Sequence, residues 1–355
     1  MRHFDYVVLG TWHWDGEILG YLSKIHEFKG RQDLYSRQNP MLIEKLTDAA
    51  KAQSIEASNR IEGIVTTSVR IRQLALKKTE PRNRNEQEIA GYRDVLNTIH
   101  DSHDYIPLKS SVLLQLHRDL MQYAETGLGG KYKAAQNYIQ GMTADGETRI
   151  RFTPVSPIET PSCVTSICES YRAAMDSMKV HPLLLIPDFI LDFLCIHPFH
   201  DGNGRMSRLL TTLLLYQAGY SVVRYISVEK HIEKTKNAYY SALEESSQGW
   251  HEGQNDPTPF IKYMLGVILG CYRELESHAN KVLGQQTAKR RRAYSIVKDT
   301  IEAHIGKFTK MEIVALCPGV GQKSIEGILK ILLNEGQIVK MGSGRNTFYV
   351  KADVQ

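Results

Sequence analysis

The sequence predicts an all-α protein with one β-hairpin set among its helices and a smaller unit at its C-terminal end. Three observations predict this. Apolar residues recur at three- and four-residue spacings along most of the chain, the signature of helix faces. Between residues 131 and 153 the pattern changes to short alternating runs around an Asp-Gly turn signal. After residue 289 the elements shorten and end on two strand-like runs around Gly342-Ser343-Gly344.

Taken in order, Trp12 and Trp14 read as packing residues before a helical run through Ile18, Leu19, Leu22 and Ile25. Residues 41–63 form a second helix through Leu42, Leu46, Ala49, Ala50, Ala57 and Ile61, stopped by Gly63. Ser58 and Glu62, four apart, share a face beside Ile55 and Ile61. A carboxylate in the last turn opposes the helix dipole by about 0.5 kcal/mol, a hint that Glu62 has a partner. Short helices follow at 70–77, 89–100 and 112–121, with Lys77 and Lys78 in an exposed turn after the first. Residues 126–130, Thr-Gly-Leu-Gly-Gly, read as a flexible loop. Residues 131–141 are expected to form a strand, 144–148 a turn, and 149–153 a strand pairing back. Spacing alone makes this a plain surface hairpin. Helices are expected at 160–180, 183–196, 209–216, 228–247 and 258–278, with 283–287 as a linker.

The last part orders as helix (293–305), helix (311–316), turn (317–321), helix (322–335) and hairpin (337–350), the order of a winged helix-turn-helix. Gln322, Lys323, Ser324, Lys330 and Arg345, with the run Lys289-Arg290-Arg291-Arg292, are placed to meet phosphates of DNA. Such units also dock proteins or dimerise, and the few base-reading side chains leave both readings open.

Composition bounds the rest. A chain of 355 residues is long enough for two or three domains. The net charge of +5 does not mark a nucleic-acid binder by itself. Five scattered cysteines lack metal-ligand spacing and read as reduced thiols. The N-terminal run is too short for a signal peptide, and 183–196 is too short, and interrupted by Asp188 and Asp192, to span a bilayer. A cytoplasmic protein without membrane contact is expected.

One stretch concentrates chemistry: His197-Pro198-Phe199-His200-Asp201-Gly202-Asn203-Gly204-Arg205-Met206-Ser207-Arg208, between two apolar helices. Its second half opens a helix, whose free N–H groups and dipole favour an anion. Arg205 and Arg208, at i and i+3, share a face and suit phosphate oxygens. Gly202 and Gly204 permit close backbone approach, and Asn203 offers an amide donor. Asp201 suits Mg²⁺, which combines carboxylate with phosphate oxygens. His197 can take a proton from a hydroxyl near neutral pH. Phe199 reads as a core anchor, and His200 as solvent-facing. The loop is read as phosphate-handling and catalytic.

This stretch resembles the Fic family signature, His-x-Phe-x-Asp/Glu-Gly-Asn-Gly-Arg-x-x-Arg, at every fixed position, and the likeness covers most of residues 40–265. The resemblance implies a helical core that transfers AMP from ATP to a hydroxyl side chain (Ser, Thr or Tyr) of a target protein. It makes His197 the base and Asp201 the ligand of Mg²⁺ bridging the α- and β-phosphates. Gly202, Asn203 and Gly204 become an anion hole; Arg205 and Arg208 hold the β- and γ-phosphates. Tyr239 or Tyr240 would meet the adenine, with core packing as the other reading. Lys131, Tyr132, Lys133, Ala134, Ala135, Gln136, Asn137, Tyr138 and Ile139, with 149–153, resemble the flap that docks the target by strand addition. Ser58-Asn59-Arg60-Ile61-Glu62-Gly63 matches the family's inhibitory motif, in which Glu62 pairs with Arg208 and displaces the γ-phosphate.

The expected organisation is a helical region carrying the inhibitory helix (1–109), a catalytic core (110–282) and a winged helix (286–355). Self-modification, a homodimer and DNA contact are the further partners implied. Two rivals stand beside AMP transfer. One is another Fic chemistry: AMP removal, phosphocholine transfer, or phosphotransfer, against which Gly204 argues because phosphotransferring relatives carry Lys there. The other is a DNA-binding regulator with a Fic sensor core.

Overall fold

The computed structural model describes residues 3–352 apart from 39, 77–78, 125–126, 143–147, 305 and 345–346; for 33–38, 40, 42, 142, 148 and 282–288 it describes the backbone only. Thr126, the Asp145-Gly146 turn, Lys77, Lys78 and Arg345 lie outside the described residues. The chain divides into two compact units, Met1–Glu276 and Ser277–Gln355.

In the first unit, helices α1 (Gly16–Gln38), α2 (Pro40–Ile61), α3 (Ser68–Ala75), α4 (Arg84–Ser102) and α5 (Ser110–Leu120) precede the hairpin of β1 (Ile139–Met142) and β2 (Thr148–Phe152). Then come α6 (Thr160–Ser177), α7 (Pro182–Ile196), α8 (Asn203–Gln217), α9 (Val228–Lys234) and α10 (Lys236–Ser246). The last helix entered from this unit is α11 (Thr258–Ala303).

The apolar run expected at the centre is buried on all sides from Leu183 to Ile196, as a helix without a polar face must be. Of its two acids, Asp192 accepts from the Tyr6 hydroxyl (2.8 Å) and the Trp250 indole N–H (2.7 Å). α7 and α8 pack on each other, and the loop between them is therefore held from both sides by core helices.

Helix α2 ends as Gly63 suggested. Gly63, at φ 78°, donates to Arg60 O, and Ile64 donates to Asn59 O. This is the paired closure of a Schellman cap, with Glu62 at the cap itself.

The hairpin is shorter than expected. Among the described residues, 139–142 and 148–152 pair, antiparallel, with a bulge at Ile139/Gln140. Residues 131–138 form no strand, because polar groups of Lys133 and Asn137 bond to carbonyls of residues 196–199 instead. The expected helix 228–247 is two helices broken at Thr235, whose hydroxyl and N–H both bond to His231 O. The stretch 283–287, read as a linker, lies within α11.

In the second unit, α12 (Lys310–Leu316) opens on a capping box between Thr309 and Glu312. It is followed by α13 (Gln322–Asn334) and the antiparallel pair β3 (Ile338–Met341) and β4 (Phe348–Lys351). The order of elements is the one read from the sequence. A separate core of Val297, Ile301, Phe308, Ile325, Leu329 and Leu332 holds it. On α13, Glu326 accepts from Lys310 and Gln322, so part of the basic face is neutralised.

Candidate active site

The loop from His197 to Gly202 lies in a cleft of about 360 Å³ that is also lined by Glu62, Tyr138, Ile139, Arg151, Arg205, Arg208, Tyr239 and Tyr240. It forms because α7 stops abruptly. His197 caps that helix in the left-handed region, φ 50° and ψ 61°, with its N–H on Phe193 O at 2.9 Å. This is a position glycine usually fills, and a side chain there costs roughly 1–2 kcal/mol. The chain accepts a histidine where stability favours glycine, which points to use of the imidazole. Its Nδ1–H donates to Leu194 O (3.2 Å). That bond fixes the tautomer and leaves the Nε2 lone pair free. Burial lowers the imidazole pKa to about 4, with Lys133 pushing the same way and Glu62 and Asp201 opposing.

The loop is braced by side chains. Phe199 is fully buried and stacks on His117 with centroids 3.7 Å apart. His117 accepts from Gly130 N–H at Nδ1 (3.1 Å) and therefore donates from Nε2 to Asp201 O (3.1 Å). Asn203 closes the loop on itself: its Oδ1 accepts from Phe199 N–H (2.9 Å) and its Nδ2 donates to Phe199 O (2.8 Å). One N–H of the amide expected to reach a ligand is thus used inside the loop, and this pair of bonds fixes how the side chain sits.

Lys133 and Asn137 belong to the same scaffold. Lys133 donates from its main chain to Pro198 O and from Nζ to Ile196 O, both at 2.9 Å. Asn137 donates to Phe199 O (3.0 Å). Their side chains face the loop, whereas Lys131, Ala134, Ala135 and Tyr138 are exposed and Tyr132, Gln136 and Ile139 half-buried. Gln136 donates to Pro154 O, tying the segment to the far end of the hairpin.

Helix α8 then opens with Gly202 at φ 82°, a conformation natural to glycine. The first-turn N–H groups after it have no acceptor within the helix. Asp201, with its side chain 46% exposed, accepts from Gly202 N–H (2.6 Å) and lies 3.6 Å from Arg205. Arg205 is buried with Nη1 2.9 Å from Glu88. Its Nε lacks a hydrogen-bond partner of good geometry among the described residues.

Arg208 is buried and occupied. Its Nε donates to Ser58 Oγ (2.8 Å), and its Nη2 donates to Ser58 O (3.0 Å) and Glu62 Oε1 (2.7 Å). Burial opposes the charge, but the Glu62 carboxylate beside it raises the guanidinium pKa above its ordinary value. The same Glu62 oxygen covers the head of α8: a Cβ on Gly204 would lie 2.2 Å from it. A carboxylate therefore rests on the helix N-terminus, where an anion is favoured. At the C-terminal end of α2, Lys236 Nζ donates to Ile61 O (2.7 Å), adding a second cation to the Arg60 already in that last turn. Tyr239 is buried against Tyr240, Phe260 and Tyr263, so its ring is largely core, while Tyr240 is half-buried.

The sequence reading missed Lys133, Asn137, Glu88 and His117 as supports of the loop. Each is distant in sequence and recognisable only once the chain is folded. His200 is exposed and Phe199 buried, as read.

Comparisons with known proteins bear on the family and the fold. Residues 107–215 match the Fic/DOC family model. The chain is 30% identical over 196 residues to the protein adenylyltransferase Fic of Culex quinquefasciatus, covering 53% of this chain and 34% of that protein. It is 29% identical over 197 residues to that of Aedes aegypti, covering 54% and 34%. It thus spans about a third of the length of these curated relatives. The fold is similar to a crystal structure of a Fic family protein from Desulfovibrio desulfuricans (TM-score 0.62, 20% identity, 97% of this chain and 98% of that one). It is also similar to Fic-1 of Caenorhabditis elegans (TM-score 0.60, 17% identity, 75% and 73%). The match to the Fic/DOC family model thus takes in α5 to α8 and the loop that opens at His197.

Proposed function

We propose that this chain is a protein adenylyltransferase held in check by its own helix α2. The observation that carries the reading is the juxtaposition of a free imidazole Nε2 with an anion-binding helix start and two buried arginines in one cleft. ATP fits that charge pattern, with its phosphates along residues 202–208. His197 takes the proton of a target Ser, Thr or Tyr hydroxyl. The hydroxyl oxygen then bonds to the α-phosphorus as the bond to the β-phosphate oxygen breaks, and pyrophosphate leaves. The α8 N-terminus and the arginines stabilise the charge that develops.

Mg²⁺ suits the site. No cluster of three or more ligating side chains occurs among the described residues, and a single half-exposed carboxylate, Asp201, is what a magnesium shared with phosphate oxygens needs. When bound, the ion neutralises phosphate charge. The flap's contribution is main-chain pairing with an extended target segment along Ile139–Met142. The buried free cysteines suit a cytoplasmic setting, and no described helix is long and apolar enough to cross a membrane.

Inhibition follows from the place of Glu62. It holds the arginine and covers the helix start that the γ- and β-phosphates need. Incubating the Glu62→Gly form with α-labelled ATP and Mg²⁺ tests both claims. Labelled protein is expected, with an added AMP by mass spectrometry, and His197→Ala in the same background abolishes it. Absence of label from the Glu62→Gly form, with itself or a cell lysate as acceptor, rejects the reading. A second activity is favoured by the partly exposed Glu62 carboxylate (32%) in the cleft: orienting water for AMP removal. Release of AMP from modified protein by the native form but not by Glu62→Gly identifies it.

A further inference from the structure

The inhibitory helix carries a third inward polar rung that its motif does not contain. Ser54, Ser58 and Glu62 stand at four-residue intervals, hence on one face of α2. Ser58 and Glu62 meet Arg208. Ser54, also buried, meets a different charge: its hydroxyl lies 2.7 Å from Glu229 Oε2 and 2.9 Å from Ser227 Oγ.

Glu229 is 1% exposed. Its carboxylate gathers hydroxyls from four elements: Ser54 of α2, Tyr92 of α4 (3.0 Å), Thr212 of α8 (3.5 Å) and Ser227 at the start of α9 (3.0 Å). A buried acid served by hydroxyls is an expensive feature, and its partners must be held in one arrangement to satisfy it. The same short stretch grips α2 from outside. Glu233 accepts from Arg60 (2.8 Å), and Lys236 donates to Ile61 O (2.7 Å).

We infer that Glu229 is a positioning residue for inhibition, a buried anchor that sets the axial register of α2 so that Ser58 and Glu62 reach Arg208. This rests on the proposed reading for its catalytic consequence, though not for its structural one. Arg208 and Glu229 act as two fixed posts, one cationic and one anionic, on opposite ends of the Ser54–Glu62 face. Loss of the anionic post frees the helix to shift without touching the nucleotide cleft.

The test uses the full chain with Ser54→Ala and with Glu229→Gln, each alone and combined with Glu62→Gly. The first readout is backbone hydrogen exchange, followed by mass spectrometry on peptides spanning 55–62, with 183–196 as internal control. Exchange in 55–62 is expected to rise about tenfold in both variants while the control is unchanged. The second readout is AMP incorporation from α-labelled ATP. Each variant is expected to raise it several-fold in the native background and to leave it unchanged when Glu62 is already glycine. Unchanged exchange in 55–62, or a gain of equal size in the Glu62→Gly background, overturns the inference. Ser54→Ala removes one hydroxyl and keeps the test informative if Glu229→Gln fails to fold. If Glu62→Gly itself incorporates nothing, the functional reading has failed, and the exchange data alone decide whether Glu229 anchors α2.

Discussion

Removing the Glu62 carboxylate is expected to make the protein less stable and a better binder of ATP at the same time. Arg208 is 2% exposed and Glu62 32% exposed across a 2.7 Å contact. Breaking a fully buried ion pair costs about 3–5 kcal/mol. Here the cost is smaller, because the cleft admits water on the Glu62 side and Ser58 keeps two acceptors on the guanidinium. A loss of about 2 kcal/mol follows for Glu62→Ala, which lowers Tm by roughly 5 °C in a unit of this size. The same free energy is what ATP must spend to evict Glu62 from native protein, so the variant binds ATP up to about 30-fold more tightly. Thermal unfolding with and without ATP and Mg²⁺, done in a His197→Ala background to prevent turnover, measures both effects. The variant should melt lower when empty and gain more from ATP than the native form. An unchanged Tm, or an ATP-induced shift equal to the native one, would refute the claim that one carboxylate holds both stability and the phosphate site.

Other perturbations separate the parts of the site. Lys133→Met keeps bulk but loses the ammonium on Ile196 O; in the Glu62→Gly background it is expected to lower kcat about tenfold or more with little change in the KM for ATP, since it misplaces the loop rather than the phosphates. Gly204→Ala puts a methyl where Glu62 Oε1 now lies, so ATP affinity measured by calorimetry should fall even when Glu62 is glycine, because the methyl stands over the helix start. Acidification should weaken the fold. Burial lowers the pKa of His100 to about 3 and of His117 and His197 to about 4, so between roughly pH 6.5 and those values the unfolded chain binds more protons than the folded one and stability falls as pH falls. Each contributes about 1.3 kcal/mol of loss between pH 7.5 and 5.5, which urea titrations at the two pH values will detect, and His117→Gln should remove its share of the difference. The activity of the Glu62→Gly form should in turn persist below pH 6, because the base stays neutral there.

The twelve-residue loop was legible in sequence because its chemistry is local. A helix stop, a glycine that takes positive φ, and two arginines three apart all act within a few positions of one another. Glu62 was legible for a related reason: a carboxylate at the end of α2 is a local misfit, and a local misfit implies a distant partner. What sequence spacing does not carry is which polar atoms the fold consumes. Asn203 reads as a ligand donor, and in the fold each end of its amide also makes a bond to Phe199 that shapes the loop. Lys133 and Asn137 read as part of a docking strand, but the carbonyls at Ile196, Pro198 and Phe199 need donors once α7 ends, and the Lys133 ammonium, the Lys133 main-chain N–H and the Asn137 amide supply them in that order. Glu229 shows the limit most plainly. In the sequence it is one acid at the start of the helix expected over 228–247, where the dipole alone would justify it. In the fold it is the point at which α2, α4, α8 and α9 meet, and only there does the spacing of Ser54 from Ser58 and Glu62 acquire a meaning. The signature thus marks the groups that would meet the nucleotide. The groups that decide whether those residues are free to meet it are dispersed, and they are found by asking of each buried charge which helices it holds together.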